Sequence, residues 1–416
     1  MLPSGMTAAH PTRVSEASRS PKFDQKKESV LAAGARIFNR DGIRGATLAD
    51  VAAEVGLNIK SLRYYFKRKD DLAAAAFLRA IALYSSLIAE ASTRRSPEER
   101  VRTLVRLYFE TARAVVCGLE PPYLHFGDLR SLSEPQAGPV TAAFVDMFKS
   151  LRALVANPQL EDLGRAALNA RTHLLLSQLL WSVVWAQHYE ADDFPRAGER
   201  MADILINGLA SNRSSWTPRI SPLPIARPDA GKTAQSTFLR AATVLINDQG
   251  YRGASIDKIA SYVNLTKGAF YHYHEAKEEI VVACFERTFD MMRRAQRISD
   301  EVSPGLDRVA DATCLLVHHQ LTKEGPLLRT SALTAVPSEL RDVMTHRLDR
   351  ITSRFADAIT DGVIDGSVLP CDASIAAQMI TATINSTEEL PRWIRGVTAE
   401  TAIELYARPG LLGLFS

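Results

Sequence analysis

Four cysteines are all that the 416 residues contain, and Cys117, Cys284, Cys314 and Cys371 stand far apart. No CxxC pair occurs, so neither a zinc site nor a disulfide framework is indicated; reduced, buried thiols are expected. Long apolar runs are missing as well. The longest, residues 174–186, is interrupted by Ser177, Gln178 and Ser182, whereas a membrane helix needs ~18 apolar residues in succession. Residues 1–21 are rich in Ser, Pro, Ala and Thr and lack the apolar stretch of a signal peptide. A disordered tail on a cytoplasmic protein is the expectation there. The formal net charge is only +3, so any case for nucleic acid must rest on where the charges sit. No Ser/His/Asp order, paired-carboxylate signature or Gly-rich cofactor loop occurs, and no enzyme, cofactor or metal is expected. Residues 226–233 end in Gly231-Lys232-Thr233, but the first glycine of a phosphate loop is absent, Pro228 interrupts, and no strand precedes.

What the chain does contain is a copy of itself. Gly42-Ile43-Arg44-Gly45-Ala46-Thr47-Leu48 matches Gly250-Tyr251-Arg252-Gly253-Ala254-Ser255-Ile256 at an offset of 208 residues. The offset holds without a gap from about Val30 to Leu72. Val30, Leu31, Gly34, Ile37 and Phe38 fall on Phe238, Leu239, Ala242, Leu245 and Ile246, the spacing of one helix face. Val51, Val55, Leu57, Leu62, Tyr65 and Leu72 fall on Ile259, Val263, Leu265, Phe270, Tyr273 and Ile280. A repeat this long and this sparse is a duplicated domain. Pro218, Pro222, Pro224 and Pro228 mark residues 212–232 as an extended linker between the copies. At most roughly 65 Å of reach leaves such a linker little say in how the halves dock. Elsewhere the apolar spacing is helical and no alternating strand pattern persists, which predicts an all-α chain.

Within each copy a long amphipathic helix ends at a glycine, Gly42 or Gly250. A second helix starts at Thr47 or Ser255, whose hydroxyls can cap it, and Asp50 completes a capping-box spacing. After a short turn at Val55-Gly56-Leu57, a third helix starts at Asn58 or Thr266. Helix, short turn and helix with apolar anchors is the helix-turn-helix pattern, whose second helix fits the DNA major groove.

Residues 47–72 and 255–280 resemble the motif of the TetR/AcrR family, roughly T-x-x-x-I-A-x-x-A-G-V-S-x-G-x-L-Y-x-Y-F-x-x-K-E-x-L. The resemblance implies two tandem TetR-like units, each an N-terminal helix-turn-helix domain (22–72, 233–281) followed by a helical ligand-binding and dimerisation domain (73–211, 282–416). It implies double-stranded operator DNA and a small-molecule effector as partners, and no membrane. By position, Lys267, Gly268 and Ala269 would open the second recognition helix against base edges, Tyr271 and His272 would reach phosphate or bases, and Lys277 would hold a phosphate. The matching residues of the first copy are Ile59, Lys60, Ser61, Arg63, Tyr64 and Lys69; Thr47 and Ser255 would add phosphate contacts.

The copies depart from the motif in different places. Ile59-Lys60 replaces Lys-Gly in the first, and His274 replaces a core phenylalanine in the second, so two unlike half-sites are implied. Lys60, Arg63, Lys67, Arg68 and Lys69 cluster in the first copy, whereas Glu275, Glu278 and Glu279 dilute Lys267 and Lys277 in the second. Electrostatic affinity should therefore favour the first. His272 and His274 belong to the motif and are not read as a metal site. Trp181, Trp185 and His188 share a helical stripe that fits packing or a dimer interface, or else a wall of the effector pocket; Tyr123 and Phe126 are further candidates for that pocket. The helices of residues 164–189 and 196–210 are expected against those of 373–388 and 399–408. That packing makes either an intramolecular pseudo-dimer or half of a homodimer. The family implies repression relieved by a mainly apolar effector; the alternative is a ligand-binding regulator in which one helix-turn-helix serves only as a scaffold.

Overall fold

The computed structural model describes residues 21–219, 234–263, 277–301, 304–336 and 338–416. Among these residues the chain is helical, and the only β pairing is a single bridge between Ala210 and Val368. The first half contains α1 (Pro21–Asp41), α2 (Leu48–Glu54), α3 (Ile59–Tyr65), α4 (Lys69–Ala91), α5 (Pro97–Val116), α6 (Ala137–Val155), α7 (Pro158–Asp162), α8 (Arg165–Ala186) and α9 (Phe194–Asn207). The second contains α10 (Ala234–Gly253), α11 (Ile256–Tyr262), α12 (Lys277–Ser299), α13 (Gly305–Gln320), α14 (Ser338–Asp365), α15 (Ala373–Ser386) and α16 (Leu390–Trp393). A last helix, α17, runs Ala399–Ala402, passes a π-turn at Ile403–Ala407 and ends with Arg408–Leu412. The offset of 208 persists well beyond the motif, since α4 and α12, and the starts of α5 and α13 and of α8 and α15, are all that far apart.

Local chemistry explains the helix ends. Gly42 ends α1 and Gly250 kinks α10 three residues before its end, at φ values of 69° and 71°, a positive-φ conformation that costs a residue with a Cβ ~1–2 kcal/mol. Ser96 and Glu99 form a capping box at α5, with Pro97 in the first turn, where its missing N–H costs no hydrogen bond. Leu72, Phe77, Ala80, Ile81, Tyr84 and Ile88 turn one face of α4 into the core. Among the described residues α4 is the one helix long and apolar enough to cross a bilayer, and more than half of its most apolar stretch is buried within the protein. Of the cysteines, Cys284 and Cys314 are buried as expected; Cys117 is exposed, because it caps the C-terminus of α5 at the surface.

The halves meet where α8 crosses α15. Gln178 Nε2 donates to Met379 O at 2.9 Å and to Thr383 Oγ1 at 3.0 Å, and Trp181 Nε1 donates to Gln378 Oε1 at 3.1 Å. Arg171, 1% exposed, donates to the carbonyls of Leu414 (2.9 Å) and Ser416 (2.6 Å). These bonds satisfy a guanidinium that would be costly to bury unpaired. Burial, reinforced by Arg408, lowers its pKa to about 10. At the far end the chain reverses at Gly208 and Gly413, and the turns interlock. Leu209 N donates to Leu411 O at 2.7 Å, and Leu414 N donates to Leu205 O at 2.8 Å. The start of the linker is pinned as well, by Trp216 Nε1 to Glu404 (2.8 Å) and Arg219 N to Asp311 (2.7 Å). The halves are thus fixed by side-chain and backbone bonds, and the linker's reach does not measure that restraint.

The second half carries a buried imidazole. His319 is 5% exposed, its Nε2 has no hydrogen-bond partner among the described residues, and burial, helped by Arg287 and His318, lowers its pKa to about 4. A folded-state value below the unfolded ~6.5 means that stability is full above pH 6.5 and is lost as pH falls towards 4. We expect acid unfolding in this window to cost roughly 2–3 kcal/mol through His319. Urea unfolding of His319→Leu at pH 7 and pH 4.5 checks this, since the variant should lose that part of the slope.

Candidate nucleic-acid interface and sensory core

The first helix-turn-helix is assembled by its own side chains. Thr47 Oγ1 accepts from Asp50 N at 3.2 Å and donates to the Asp50 carboxylate at 2.7 Å, while Thr47 N donates to that carboxylate at 2.8 Å. These bonds hold the Asp50 carboxyl below its ordinary range. Gly56 makes the turn at φ +65°, and Asn58 Oδ1 accepts from Ser61 N at 2.8 Å to cap α3. Fully buried Leu62 anchors α3 to the core. The opposite face is open: Ile59 is 40% and Tyr64 76% exposed, and Lys60 and Arg63 are exposed beside them. Phe23 of α1 stacks on Tyr65 at 5.0 Å and meets Tyr64 edge-on at 5.7 Å, so the end of α3 is braced.

Not every residue of the motif is equally open. The Thr47 hydroxyl is engaged in its cap. Lys69 Nζ donates to Ala46 O at 2.9 Å and to Arg44 O at 3.5 Å, tying the start of α4 to the turn before α2. Arg68 pairs with Asp71 at 3.2 Å. In the second half Ser255 caps α11 by accepting from Lys258 N at 3.3 Å. Thr266, Lys267, Gly268, Ala269, Tyr271 and His272 lie outside the described residues, as do residues 1–20 and 220–233; Lys277 opens α12. The two helix-turn-helix regions abut, for a Cβ placed on Gly253 would lie 2.5 Å from Arg44 Nη1.

Behind each region an asparagine missed in the sequence clamps the helical domain. Asn39 Nδ2 donates to Tyr123 O at 2.9 Å, and its Oδ1 accepts from His125 N at 2.9 Å. Asn247, its counterpart at offset 208, bonds likewise to Leu327 O (2.9 Å) and Arg329 N (3.0 Å). Arg79 and Arg287 form a second such pair, donating to Pro122 O and Pro326 O. Identity at the repeat offset was the available signal. Asn39→Ala should leave a half-buried carbonyl and N–H unpaired and cost about 1–3 kcal/mol, measurable by denaturant unfolding.

The clamped segment leads into an aromatic cluster in the first helical domain. Tyr123 and Phe126 are buried, with Tyr84 6.1 Å from Tyr123 and 5.2 Å from Phe126, and with Phe144 5.1 Å from Phe126. The Tyr108 hydroxyl lies buried near those of Tyr84, Tyr123 and Ser182, and among the described residues it has no hydrogen bond of good geometry. Burial raises all three phenols above their ordinary range. At the equivalent places the second half has Met292, Leu316 and Leu327. The two tryptophans lie elsewhere: Trp181 bridges the halves, while Trp185 packs on Phe109 at 5.7 Å and borders a cleft between them.

Comparison with known proteins fits this arrangement. The family model for bacterial regulatory proteins of the tetR family matches residues 30–76 and again 238–284. The Transposon Tn10 TetC protein of Escherichia coli is 33% identical over 61 residues, which are 15% of this chain and 31% of that protein. The uncharacterized HTH-type transcriptional regulator YhgD of Bacillus subtilis (strain 168) is 26% identical over 188 residues, 42% of this chain and 94% of its own. The fatty acid metabolism regulator protein of the same organism is 27% identical over 158 residues, 36% of this chain and 79% of its own. Among solved structures, the TetR family transcriptional regulator PfmR from Thermus thermophilus is 21% identical, covering 42% of this chain and 98% of its own, with a TM-score of 0.36. The chain thus carries two tandem helix-turn-helix domains of the TetR family of bacterial regulatory proteins, one at the head of each half.

Proposed function

We propose that the chain is a repressor that binds operator DNA as a covalent pseudo-dimer and is released by a small, mainly apolar effector. The observation that carries this reading is α3: a capped helix, anchored by Leu62, whose open face presents Ile59, Lys60, Arg63 and Tyr64. Residues 22–72 and 233–281 are the DNA-binding domains, and residues 73–211 and 282–416 sense the effector. Lys60 and Arg63 meet bases or phosphates in one half-site, with Lys267, Tyr271 and His272 serving the other. Because operator symmetry mirrors protein symmetry, the preferred site has two unlike halves. The crossing of α8 and α15 within one chain supports the pseudo-dimer over a homodimer. The effector enters the Tyr84, Tyr108, Tyr123 and Phe126 cluster, its apolar body among the rings and one polar atom on the Tyr108 hydroxyl. One relative's name concerns fatty acid metabolism, which suits an apolar body. Displacing Tyr123 shifts the segment that Asn39 holds, and so favours a spacing of the recognition helices that no longer fits successive major-groove turns. Such release requires tighter effector binding to the freed form.

A footprint of the purified chain on DNA flanking its own gene, with the mass of the complex measured in parallel, tests the reading. One chain on an asymmetric, salt-sensitive site is expected. Two chains on a palindrome would replace the pseudo-dimer with a homodimer, and failure to select any sequence from a random pool would defeat the repressor reading.

A further inference from the structure

The two halves offer an internal control for each other at their junction. Trp185 at the end of α8 and Trp393 in α16 occupy equivalent positions, 208 residues apart. Trp393 reaches across to the other half, where its ring stacks on Phe148 of α6 with centroids 3.8 Å and planes 12° apart. The counterpart of α6 is α14. Val140, Met147, Phe148, Leu151 and Val155 fall on Met344, Ile351, Thr352, Phe355 and Ile359 at an offset of 204, and every one of these residues is buried. The 3-10 turns before the two helices, Phe126–Ser131 and Thr330–Ala335, share the same offset. Thr352 therefore stands where Phe148 stands, and no ring faces Trp185 across the junction among the described residues.

The consequence is a gap. Trp185 turns towards its own half, 5.7 Å from Phe109 and 5.8 Å from Tyr189. A cleft of about 370 Å³ opens between α8, α14 and α15, within the size range of small-molecule sites. Its wall includes Trp185, Tyr189, Thr352, Gln378, one imidazole, His188, and one carboxylate, Asp349, and among the described residues no lysine or arginine lines it. The Oε1 of Gln378 is taken by Trp181, which leaves the amide N–H groups as donors.

We propose that this cleft binds a small planar aromatic amine, its ring in the place that Phe148 fills at the other junction and its ammonium towards Asp349. A molecule held there is in contact with both halves. Its effect on DNA rests on the regulator reading above; its binding does not.

Calorimetry of the full chain with tryptamine, and with indole-3-propionate as the same ring bearing a carboxylate, tests the site. One tryptamine per chain is expected, with indole-3-propionate at least about tenfold weaker because its charge faces Asp349. Asp349→Asn should erase that preference, and Thr352→Phe should weaken tryptamine about tenfold or more by restoring the ring. No saturable tryptamine binding, two equal sites per chain, or an unchanged preference in Asp349→Asn would overturn the proposal. Operator affinity measured on the same protein separates the two readings. Loss of specific DNA binding in the unliganded chain strikes the regulator reading and leaves the cleft standing, whereas intact DNA binding with no tryptamine uptake does the reverse.

Discussion

Gly208→Ala should weaken the docking of the two halves by roughly 2–6 kcal/mol, from backbone strain and overpacking together. Gly208 holds φ +70°, and a Cβ there would lie 2.2 Å from the carbonyl carbon of Leu412 and 2.5 Å from its oxygen. Both are backbone atoms, so no side chain can swing aside. Gly413 is the mirror case, with a Cβ 2.5 Å from Ile206 O. Gly56 is the control: its φ is +65° but nothing lies within 4 Å of its Cβ site, so Gly56→Ala should show only the strain of about 1–2 kcal/mol. Urea unfolding followed by tryptophan fluorescence compares the three. An unfolding curve for Gly208→Ala no different from that of Gly56→Ala would mean that the interlocked turns contribute little to the junction.

The second large effect concerns DNA. Lys60→Ala combined with Arg63→Ala should lower operator affinity about 10²-fold near physiological salt, and should reduce the slope of log K against log salt by about 2. Both side chains leave the open face of α3, and neither is part of a cap or of the core. Lys69→Ala is expected to behave differently. Its ammonium already binds the carbonyls of Ala46 and Arg44, so its removal should loosen the domain as well as weaken binding on all sequences alike. Fluorescence anisotropy at several salt concentrations gives each slope, and an unchanged slope in the double variant would move the interface off α3.

The features that sequence reasoning reached are the ones decided within a few residues. Thr47, Asn58 and Ser255 cap their helices because a hydroxyl or amide three positions before an N–H can bond to it whatever the rest of the chain does. The glycines at 42 and 250 announce themselves for the same reason. Trp181 and Trp185 were legible only as a stripe, since spacing says which side a residue faces and not what it meets there; one bridges the halves and the other borders a cleft. The Asn39 and Asn247 clamps, the buried Arg171 and the interlocked turns depend on partners some 80 residues or more away. The slip from an offset of 208 to 204 between α5 and α6 was also invisible, because loops carry no periodic pattern to align. Without that slip, Thr352 cannot be set against Phe148.

Joining the two halves in one polypeptide changes how the junction depends on concentration and how it can diverge. Two separate subunits meet in a second-order encounter and fall apart on dilution; α8 and α15 are tethered, so their docking is unimolecular and the same at any abundance. In a symmetric pair every substitution is made twice, once on each side of the axis. Here Phe148 and Thr352 vary independently. One side can keep its stacked rings while the other gives them up, and a new surface can arise without weakening both sides at once.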